Sequence, residues 1–376
     1  MPTCPKYRTR LFLSVDLVGS TEFKSGLGNV PVDRSAHPRW VDEIRNFYQE
    51  FPQGFRKRYH QHTSHPEYKI HEDAVPTVWK TIGDEIIFCC RVNSAEHLVC
   101  IVSAFTEALD DYGRVLGVRC RNLDVKGTAW LAAFPAPNVT VEISTGPMVE
   151  LPEEDIETRA DKTPHKFDFL GSGIDCGFRL ARFSSTDKLA ISAELALSLC
   201  ESANASSKPF GGKFNYIGRE ELKGVINGRP YPIIAIMTER SALRREVFEL
   251  ERGVRGILPS TPSIALKNFL LKFMEDEGIE PAIFTSDGDD LPVSRQPSSY
   301  KKFCEAWGPI ANETRRREES EVTSLTEEPT DTRDDVPADV ESAIAAFAET
   351  SDRSPPKQSS ASTASLDAIG DAPARH

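Results

Sequence analysis

Two aspartates stand beside turns at which a divalent cation and a phosphate could bind. Asp16 follows the apolar run at residues 11–15, and the turn Gly19-Ser20-Thr21 after it opens a predicted helix. An aspartate in a buried strand is costly unless it is paired or binds a cation, and the free N–H groups at a helix start suit a phosphate. Asp84 lies in a tight turn between two apolar strands. If these strands are neighbours, both carboxylates face one spot, where divalent ions would offset their repulsion. The Asp16 stretch by itself is more typical of a helix cap.

Three cations accompany the two aspartates along the chain. Lys80 comes four residues before Asp84, Arg179 lies on the helix predicted after the glycine-rich turn at residues 171–173, and Lys223 lies in a later hairpin. Each cation alone is typical of a solvated surface. In this order, on alternating strands and helices, the set indicates a phosphate site, with Arg179 able to reach a developing negative charge and Lys223 a phosphate.

The hydrophobic pattern predicts an α+β fold in which strands and helices follow one another in the order βαββαβ. This order favours a sheet with helices on one face. A proline at position 52 is expected to kink or divide the first long helix, and the acidic residues 153–162 are expected to form an inserted surface loop. The elements predicted from periodicity are a strand ending at Asp16, a helix at 40–59, a hairpin at 75–92, a helix at 98–116, strands at 125–134 and 139–143, a helix after residue 171, a strand at 189–191, a helix at 193–200 and a hairpin at 216–237.

The chain divides by composition into three parts. Residues 1–240 are predicted to form the principal domain, and residues 241–311 a partly helical C-terminal extension with a helix at 263–274. From residue 312 to 376 the chain is rich in Ser, Thr, Glu, Asp and Pro. Such a segment buries too little apolar surface to offset its ordering entropy, so a disordered acidic tail is expected, with a transient helix at 338–350.

Composition excludes several classes of function. The formal net charge of −12 argues against nucleic-acid binding but allows a nucleotide substrate, since a bound cation can supply positive charge locally. The eight cysteines show no zinc-binding spacing, so a reducing cytoplasm is the simplest location. With no signal peptide and no apolar stretch long enough to span a bilayer, we expect a soluble protein without membrane insertion.

Four stretches of the sequence resemble the signature blocks of class III nucleotidyl cyclases. They are SVDLVGST, KTIGDEI, DFLGSGIDCGFRLAR and GREELKG, and they occur in the family's order over roughly residues 8 to 238. The resemblance implies a ferredoxin-like βαββαβ cyclase catalytic domain at residues 1–240. It also implies a homodimer whose active sites combine residues of both chains. The reaction it implies converts a nucleoside triphosphate into a 3′,5′-cyclic monophosphate and pyrophosphate.

The same resemblance assigns roles to individual residues. It implies that Asp16 and Asp84 bind two Mg²⁺ or Mn²⁺ ions and that Lys80 and Asp168 read the base. Gly19, Ser20 and Thr21 belong to the first block, beside the phosphates.

The third and fourth blocks carry the remaining implied roles. Arg179 would act on the reacting phosphate, and Lys223 would bind the triphosphate. Asp175 falls where the family carries an asparagine that positions the ribose. Because a carboxylate cannot donate a hydrogen bond as an amide does, ribose positioning is expected to differ here.

Within the family, DLVGSTEFK on a chain without a receptor module is most similar to the pyrimidine cyclases of bacterial anti-phage defence, the Pycsar cyclases. This implies UTP as substrate and a separate effector that cyclic UMP activates. CTP and ATP remain alternatives. A second hypothesis is an inactive cyclase-like module that only binds a nucleotide. That hypothesis predicts the loss of at least one metal-binding aspartate, whereas both are present here. A diguanylate cyclase is a third, because residues 82–86 echo its GGDEF signature, but that family lacks a counterpart to GSGIDCGFRLAR.

Hydrogen-bond type alone does not decide the base. Lys80 donates and Asp168 accepts, so the pair could bind adenine, cytosine or, with a shifted approach, uracil. Trp79 and Phe169 flank the two readers in the sequence. If either ring points inward, it would shorten the pocket and exclude a purine.

Overall fold

The computed structural model describes residues 4–26, 37–64, 74–143, 155–205, 209–258, 260–285 and 291–307. They lie in one compact unit, Met1–Val322. The strands are β1 (Arg8–Val18), β2 (Thr77–Ile82), β3 (Glu85–Arg91), β4 (Asp124–Phe134), β5 (Val139–Glu142), β6 (Phe167–Leu170), β7 (Lys188–Ile191), β8 (Phe214–Glu221) and β9 (Pro230–Met237). The helices are α1 (Ser20–Ser25), α2 (Arg39–Thr63), α3 (Ala95–Arg119), α4 (Ile156–Lys162), α5 (Ser172–Leu180), α6 (Ala193–Ala205), α7 (Ala242–Val254) and α8 (Ser263–Glu277), followed by helical residues 298–307. The tail expected at 312–376, including the helix at 338–350, lies outside the described residues.

Seven strands form the main sheet, in the order β2-β3-β1-β4-β7-β9-β8. The first four strands with α2 and α3 make the βαββαβ unit, in which β1 pairs antiparallel with both β3 and β4. Strands β5 and β6 form a separate antiparallel pair, the β5–β6 arm. The predicted α+β fold is therefore confirmed.

The central strand β1 separates two cores. Its odd positions from Leu11 to Leu17 are buried in the larger core, together with aromatic side chains of α2 and apolar side chains of α3, α6 and α8. Side chains alternate along a strand, and Phe12 accordingly lies in a second core with Trp79, Trp130 and aromatic residues of the β5–β6 arm. Each fully buried aromatic side chain contributes about 1.5–3 kcal/mol, so both faces of the sheet hold β1 in register.

Helix α2 continues through Pro52 as one element, so the expected division is wrong. A proline inside a helix removes one backbone hydrogen bond and crowds the preceding turn. Phe47, Phe51, Phe55 and Tyr59 are nevertheless all buried on one face of α2. Burial of four aromatic side chains outweighs the cost of one proline.

The prediction of a surface loop at residues 153–162 is also wrong, because residues from Ile156 onward form α4. Its Glu157 and Asp161 are buried, and both form ion pairs with Arg10 of β1. The acidic residues that suggested a solvated loop are the ones that attach α4 to the sheet.

The C-terminal extension packs on the rest of the described chain. Helix α8 buries Leu266, Leu270 and Phe273 in the larger core. A disulfide joins Cys4 to Cys304 of the last described helix, whereas the six other cysteines are buried thiols that form no disulfide in the described part of the chain. No spacing motif in the sequence predicted this pair. Among the described helices, none combines the length and apolar content that a membrane span requires.

Candidate functional site

Asp16 and Asp84 line one pocket of about 170 Å³, which we call the carboxylate pocket. Ser14, Glu85 and Lys126 line it as well. A wider cleft beside it, of about 620 Å³, is lined by the same two aspartates and by residues 17–22. Gly19, Ser20 and Thr21 thus lie next to the two carboxylates.

The pairing of three strands brings these side chains together. Asp16 lies opposite Glu85 of β3 on one side and opposite Lys126 of β4 on the other. The backbone N–H of Leu17 donates to the carbonyl of Asp84 at 3.3 Å, which ties the β2–β3 turn to β1. Strand β1 runs two residues beyond Asp16, so the aspartate lies within the strand rather than at its end as predicted.

Helix α1 adds contacts to Asp84. The Ser20 hydroxyl donates to one oxygen of the Asp84 carboxylate, and the ammonium group of Lys24 lies 3.6 Å from the other. The chain enters α1 through Gly19, whose φ of +85° favours glycine. A β-carbon at this position would lie 2.2 Å from the backbone oxygen of Asn122, so only glycine fits here.

Burial and like charge disfavour ionisation of Asp16 and Glu85 in the carboxylate pocket. Burial raises the pKa of Asp16, the nearby Lys126 opposes this, and Asp84 adds to it, with a net increase. Burial likewise raises the pKa of Glu85, with the hydrogen bond from Ser14 opposing and Asp16 adding to the rise. A bound divalent cation would favour the ionised carboxylates, because it neutralises their negative charge.

The donors in the pocket fit Mg²⁺ or Mn²⁺, because they are carboxylate and hydroxyl oxygens. Within the described residues, no group of three or more His, Cys, Asp or Glu side chains is assembled as a metal site. Mg²⁺ is usually bound through one or two carboxylates and completed by substrate phosphates and water. A pair of aspartates beside an open cleft suits this mode better than a closed metal cage.

Lys126 is a member of the pocket that the sequence did not single out. Its ammonium group lies 3.3 Å from Asp16. Its position became apparent only from the pairing of β1 with β4, since no local motif contains both residues.

We expect Lys126→Met to bind Mn²⁺ roughly three to ten times more tightly than the wild-type chain, because a competing cation is removed from Asp16. Titration without nucleotide, followed by electron paramagnetic resonance of free Mn²⁺, measures this. Lys267→Met is the control, since Lys267 pairs with Glu201 outside the pocket. Weaker Mn²⁺ binding by Lys126→Met would indicate instead that Lys126 holds Asp16 in place for the ion.

Lys80 and Asp168, the predicted base-reading residues, form an ion pair at 2.8 Å. Lys80 lies on β2 and Asp168 on β6, so this pair joins the edge of the main sheet to the β5–β6 arm. Both side chains are partly exposed. The ammonium group of Lys80 also lies 3.9 Å from the centre of the Trp79 ring.

The rings of Trp79 and Phe169 do not project into a cleft. Both are buried in the second core, where their centres lie 5.2 Å apart, and the Trp79 indole N–H donates to the carbonyl of Phe167 at 2.9 Å. A pocket shortened by either ring is therefore not what this structure describes. Any selection against purines must arise elsewhere.

Arg179 and Lys223 form a third group. The Nε of Arg179 donates to the backbone carbonyl of Lys223 at 2.7 Å, which joins α5 to the β8–β9 turn. Asp175 lies one turn earlier on α5, and all three side chains are exposed. Helix α5 approaches β4 closely, because a β-carbon at Gly177 would lie 2.1 Å from the Trp130 ring.

The predicted site residues thus fall into three groups: the carboxylate pocket, the Lys80–Asp168 pair, and Asp175 with Arg179 and Lys223. Across the described ranges, no hydrogen bond or ion pair connects one group to another. Each group faces solvent at least in part.

No protein-family model and no curated protein sequence matches this chain. Solved structures similar to it include the adenylyl cyclase CyaB from P. aeruginosa, with 14% identity, a TM-score of 0.42, and coverage of 63% of this chain and 97% of that one. The guanylyl cyclase Cya2 has 15% identity, a TM-score of 0.38, and coverage of 62% and 94%. The guanylate cyclase domain of RhGC from Catenaria anguillulae, in complex with GTP, has 11% identity, a TM-score of 0.37, and coverage of 63% and 99%. Each similarity is one of fold alone.

Proposed function

We propose that this chain is a nucleotide cyclase, which converts a nucleoside triphosphate, preferably UTP, into the 3′,5′-cyclic monophosphate and pyrophosphate. The observation that carries the proposal is that Asp16 and Asp84 line one pocket beside an open cleft. The exposed cations Arg179 and Lys223, the partly exposed Lys80, and the resemblance of the four sequence blocks support it. An inactive module would not need both carboxylates at one pocket.

In the proposed mechanism, Asp16 and Asp84 would hold two divalent ions. When bound, such ions stabilise charge on the attacking and leaving oxygens of a phosphoryl transfer. Ser20 would keep Asp84 oriented, as its hydroxyl does in the structure.

The other residues bind and orient the nucleotide. The 3′-oxygen forms a bond to the α-phosphorus, the bond from that phosphorus to the β-phosphate oxygen breaks, and pyrophosphate leaves. Arg179 neutralises charge on the reacting phosphate, and Lys223 binds the triphosphate. Asp175 accepts a hydrogen bond from a ribose hydroxyl. The 3′-hydroxyl proton passes to Asp16 or to water.

We propose further that the active site is composite. The carboxylate pocket of one protomer would face the Lys80–Asp168 pair and the Arg179 group of its partner. The absence of hydrogen bonds and ion pairs between these groups in the described part of one chain supports this arrangement.

An inactive Asp16→Ala chain mixed with an inactive Arg179→Ala chain should therefore regain activity. At a one-to-one ratio with free exchange, half of the dimers are mixed and each has one intact site, so about a quarter of wild-type activity is expected. Each variant alone is the control. Mass spectrometry of differently tagged chains establishes that subunits exchange. Exchange without recovered activity would refute the composite site.

A competition among equal amounts of UTP, CTP, ATP and GTP, with products identified by mass, tests the base preference. We expect cyclic UMP to dominate, cyclic CMP to follow, and cyclic AMP to be third. The resemblance of the DLVGSTEFK block to the pyrimidine cyclases supports this order, because the donor and acceptor of the Lys80–Asp168 pair fit several bases equally. A preference for ATP would contradict the pyrimidine assignment and leave the cyclase reaction standing.

The product is proposed to act as a second messenger of anti-phage defence that activates a separate effector. The resemblance of the DLVGSTEFK block to the Pycsar cyclases supports this role. An increase of cyclic UMP in phage-infected cells that carry the chain, and none in cells carrying Asp84→Ala, would test it.

A further inference from the structure

Helix α7 has an apolar stripe on the side that faces solvent. Leu243, Val247, Leu250 and Val254 are 69%, 56%, 64% and 89% exposed, and no residue of α7 is buried. A surface helix normally turns its apolar side toward the core. A contiguous exposed apolar stripe is typical of an interaction surface.

The opposite side of α7 attaches the helix to the sheet. Glu249 forms an ion pair with Lys213 at 3.0 Å, and Arg252 donates to the side chain of Asn215 at 2.7 Å. Phe248, on the same side, is partly buried. At about 100° per residue these positions lie diametrically opposite the apolar stripe. The polar contacts therefore fix α7 with its apolar stripe outward.

We propose that the apolar stripe of α7 binds the same stripe of a second copy of this chain, in antiparallel orientation about a two-fold axis. The stripe residues are spaced by four, three and four positions. This spacing reads the same in both directions and alternates as in a coiled-coil seam. An antiparallel pair consequently places Leu243 against Val254 of the second copy, and Val247 against Leu250, with both contacts repeated by symmetry.

Charges beside the stripe favour this orientation. Arg244 and Glu251 lie on the same flank of α7 and are exposed. Antiparallel pairing brings Arg244 of one copy near Glu251 of the other, twice in the dimer. Parallel pairing would instead bring Glu251 near Glu246 of the second copy, and like charges at such positions repel. The charge pattern therefore matches a second copy in one orientation.

Helix α7 is long enough to pair with a second copy because it is already held on the sheet. An isolated helix of 13 residues is marginal in water, and ordering it would oppose association. Here its contacts with Lys213 and Asn215 order it in the single chain. Association then buries apolar surface without that cost. This inference does not depend on the proposed reaction, since α7 contains none of the proposed site residues.

A cross-linking experiment on the full chain tests the pairing. A mixture of Val247→Cys and Leu250→Cys proteins, mildly oxidised, should give a covalent dimer containing one chain of each kind. The native cysteines outside the disulfide are buried in the described part, which favours reaction of the introduced thiols. The matched control is a mixture of Val115→Cys and Val118→Cys, because these residues are also exposed, helical and three positions apart. We expect at least about tenfold more covalent dimer than in the control.

Further substitutions, introduced into both cysteine variants, test the contact between the two helices and their relative orientation. Val254→Glu should reduce the yield about tenfold or more, whereas Val118→Glu, at an equally exposed valine, should not. Arg244→Glu should lower the yield about twofold to fivefold, and adding Glu251→Arg to the same chains should restore it.

Three outcomes would overturn the proposal. A yield no higher than the control would mean that the stripe is free or covered by something else, such as residues 308–376, which carry Val340, Ile344 and Phe347 at a similar spacing. Efficient cross-linking of Leu243→Cys alone would indicate parallel pairing, because antiparallel pairing places the two copies of residue 243 about 16 Å apart along the helix axis. Failure of Glu251→Arg to rescue Arg244→Glu would show that the two residues do not meet.

Discussion

Asp16→Ala and Asp84→Ala chains should each form cyclic nucleotide about a thousandfold more slowly than the wild-type chain. Either change removes one of the two carboxylates that line the carboxylate pocket. The remaining aspartate would bind the cations weakly, and charge on the reacting phosphate would lose most of its stabilisation.

Product formation at saturating Mg²⁺, with product identified by mass, measures this loss. Asp42→Ala is the matched control, because Asp42 is a surface aspartate of α2 that pairs with Arg45 at 3.1 Å. It should retain full activity. Full turnover by Asp16→Ala or Asp84→Ala would contradict the assignment of these carboxylates to the metal ions.

The isosteric variant Asp16→Asn separates loss of activity from loss of fold. Burial, outweighing the attraction of Lys126, raises the pKa of Asp16 in the folded chain. A carboxylate whose pKa is raised by folding begins to destabilise the folded chain above its unfolded-state pKa, and the effect is complete above the raised pKa. Without metal, Asp16→Asn should therefore be at least as stable as the wild type near neutral pH. The difference should shrink as pH falls through the raised pKa, where wild-type Asp16 becomes protonated. Urea unfolding at several pH values measures it.

Asp161→Ala should reduce the free energy of unfolding by about 3–5 kcal/mol, the cost of leaving a buried charge without its partner. Asp161 accepts from Arg8 and Arg10 at 2.9 Å each, and all three side chains are buried. Among the described residues, Arg10 would keep only Glu157, at 2.6 Å, as a carboxylate partner. No water can replace the lost charge at a fully buried position without opening the structure.

A comparison of the free energies of unfolding of Asp161→Ala and Asp111→Ala in urea measures how burial changes the contribution of an arginine–aspartate ion pair. Asp111 also accepts two hydrogen bonds from an arginine, Arg58, but both side chains are partly exposed. Asp111→Ala should cost less than about 1 kcal/mol. Equal losses in the two variants would mean that the Asp161 cluster is hydrated rather than buried.

Local periodicity predicted much of the fold, because α2, α3 and the β2–β3 hairpin each bury a regular set of apolar residues. It failed at α4, where acidic side chains pair with arginines more than 140 positions away in the sequence. A charged stretch looks the same in a solvated loop and in a buried ion-pair cluster until its partners are known.

The candidate site was likewise predictable from local sequence only in part. Asp16 and Asp84 were recognisable because each adjoins a turn after apolar residues. Lys126 and the pairing of Ser20 with Asp84 depend on which strands and helices are neighbours. The burial of Trp79 and Phe169 likewise depends on how the β5–β6 arm packs, which the alternation along each short strand did not determine.

The alternation along β1 has a consequence for how this sequence can vary. Arg10, Phe12 and Asp16 share one face of the strand, with the buried ion-pair cluster at one end and the carboxylate pocket at the other. The intervening positions face the larger core. Insertion or deletion of a single residue within β1 would exchange these two faces. Tolerated changes in this strand should therefore be substitutions: apolar exchanges at odd positions, and almost none at Arg10 and Asp16. We therefore expect sequence variation in β1 to fall mainly at alternate residues.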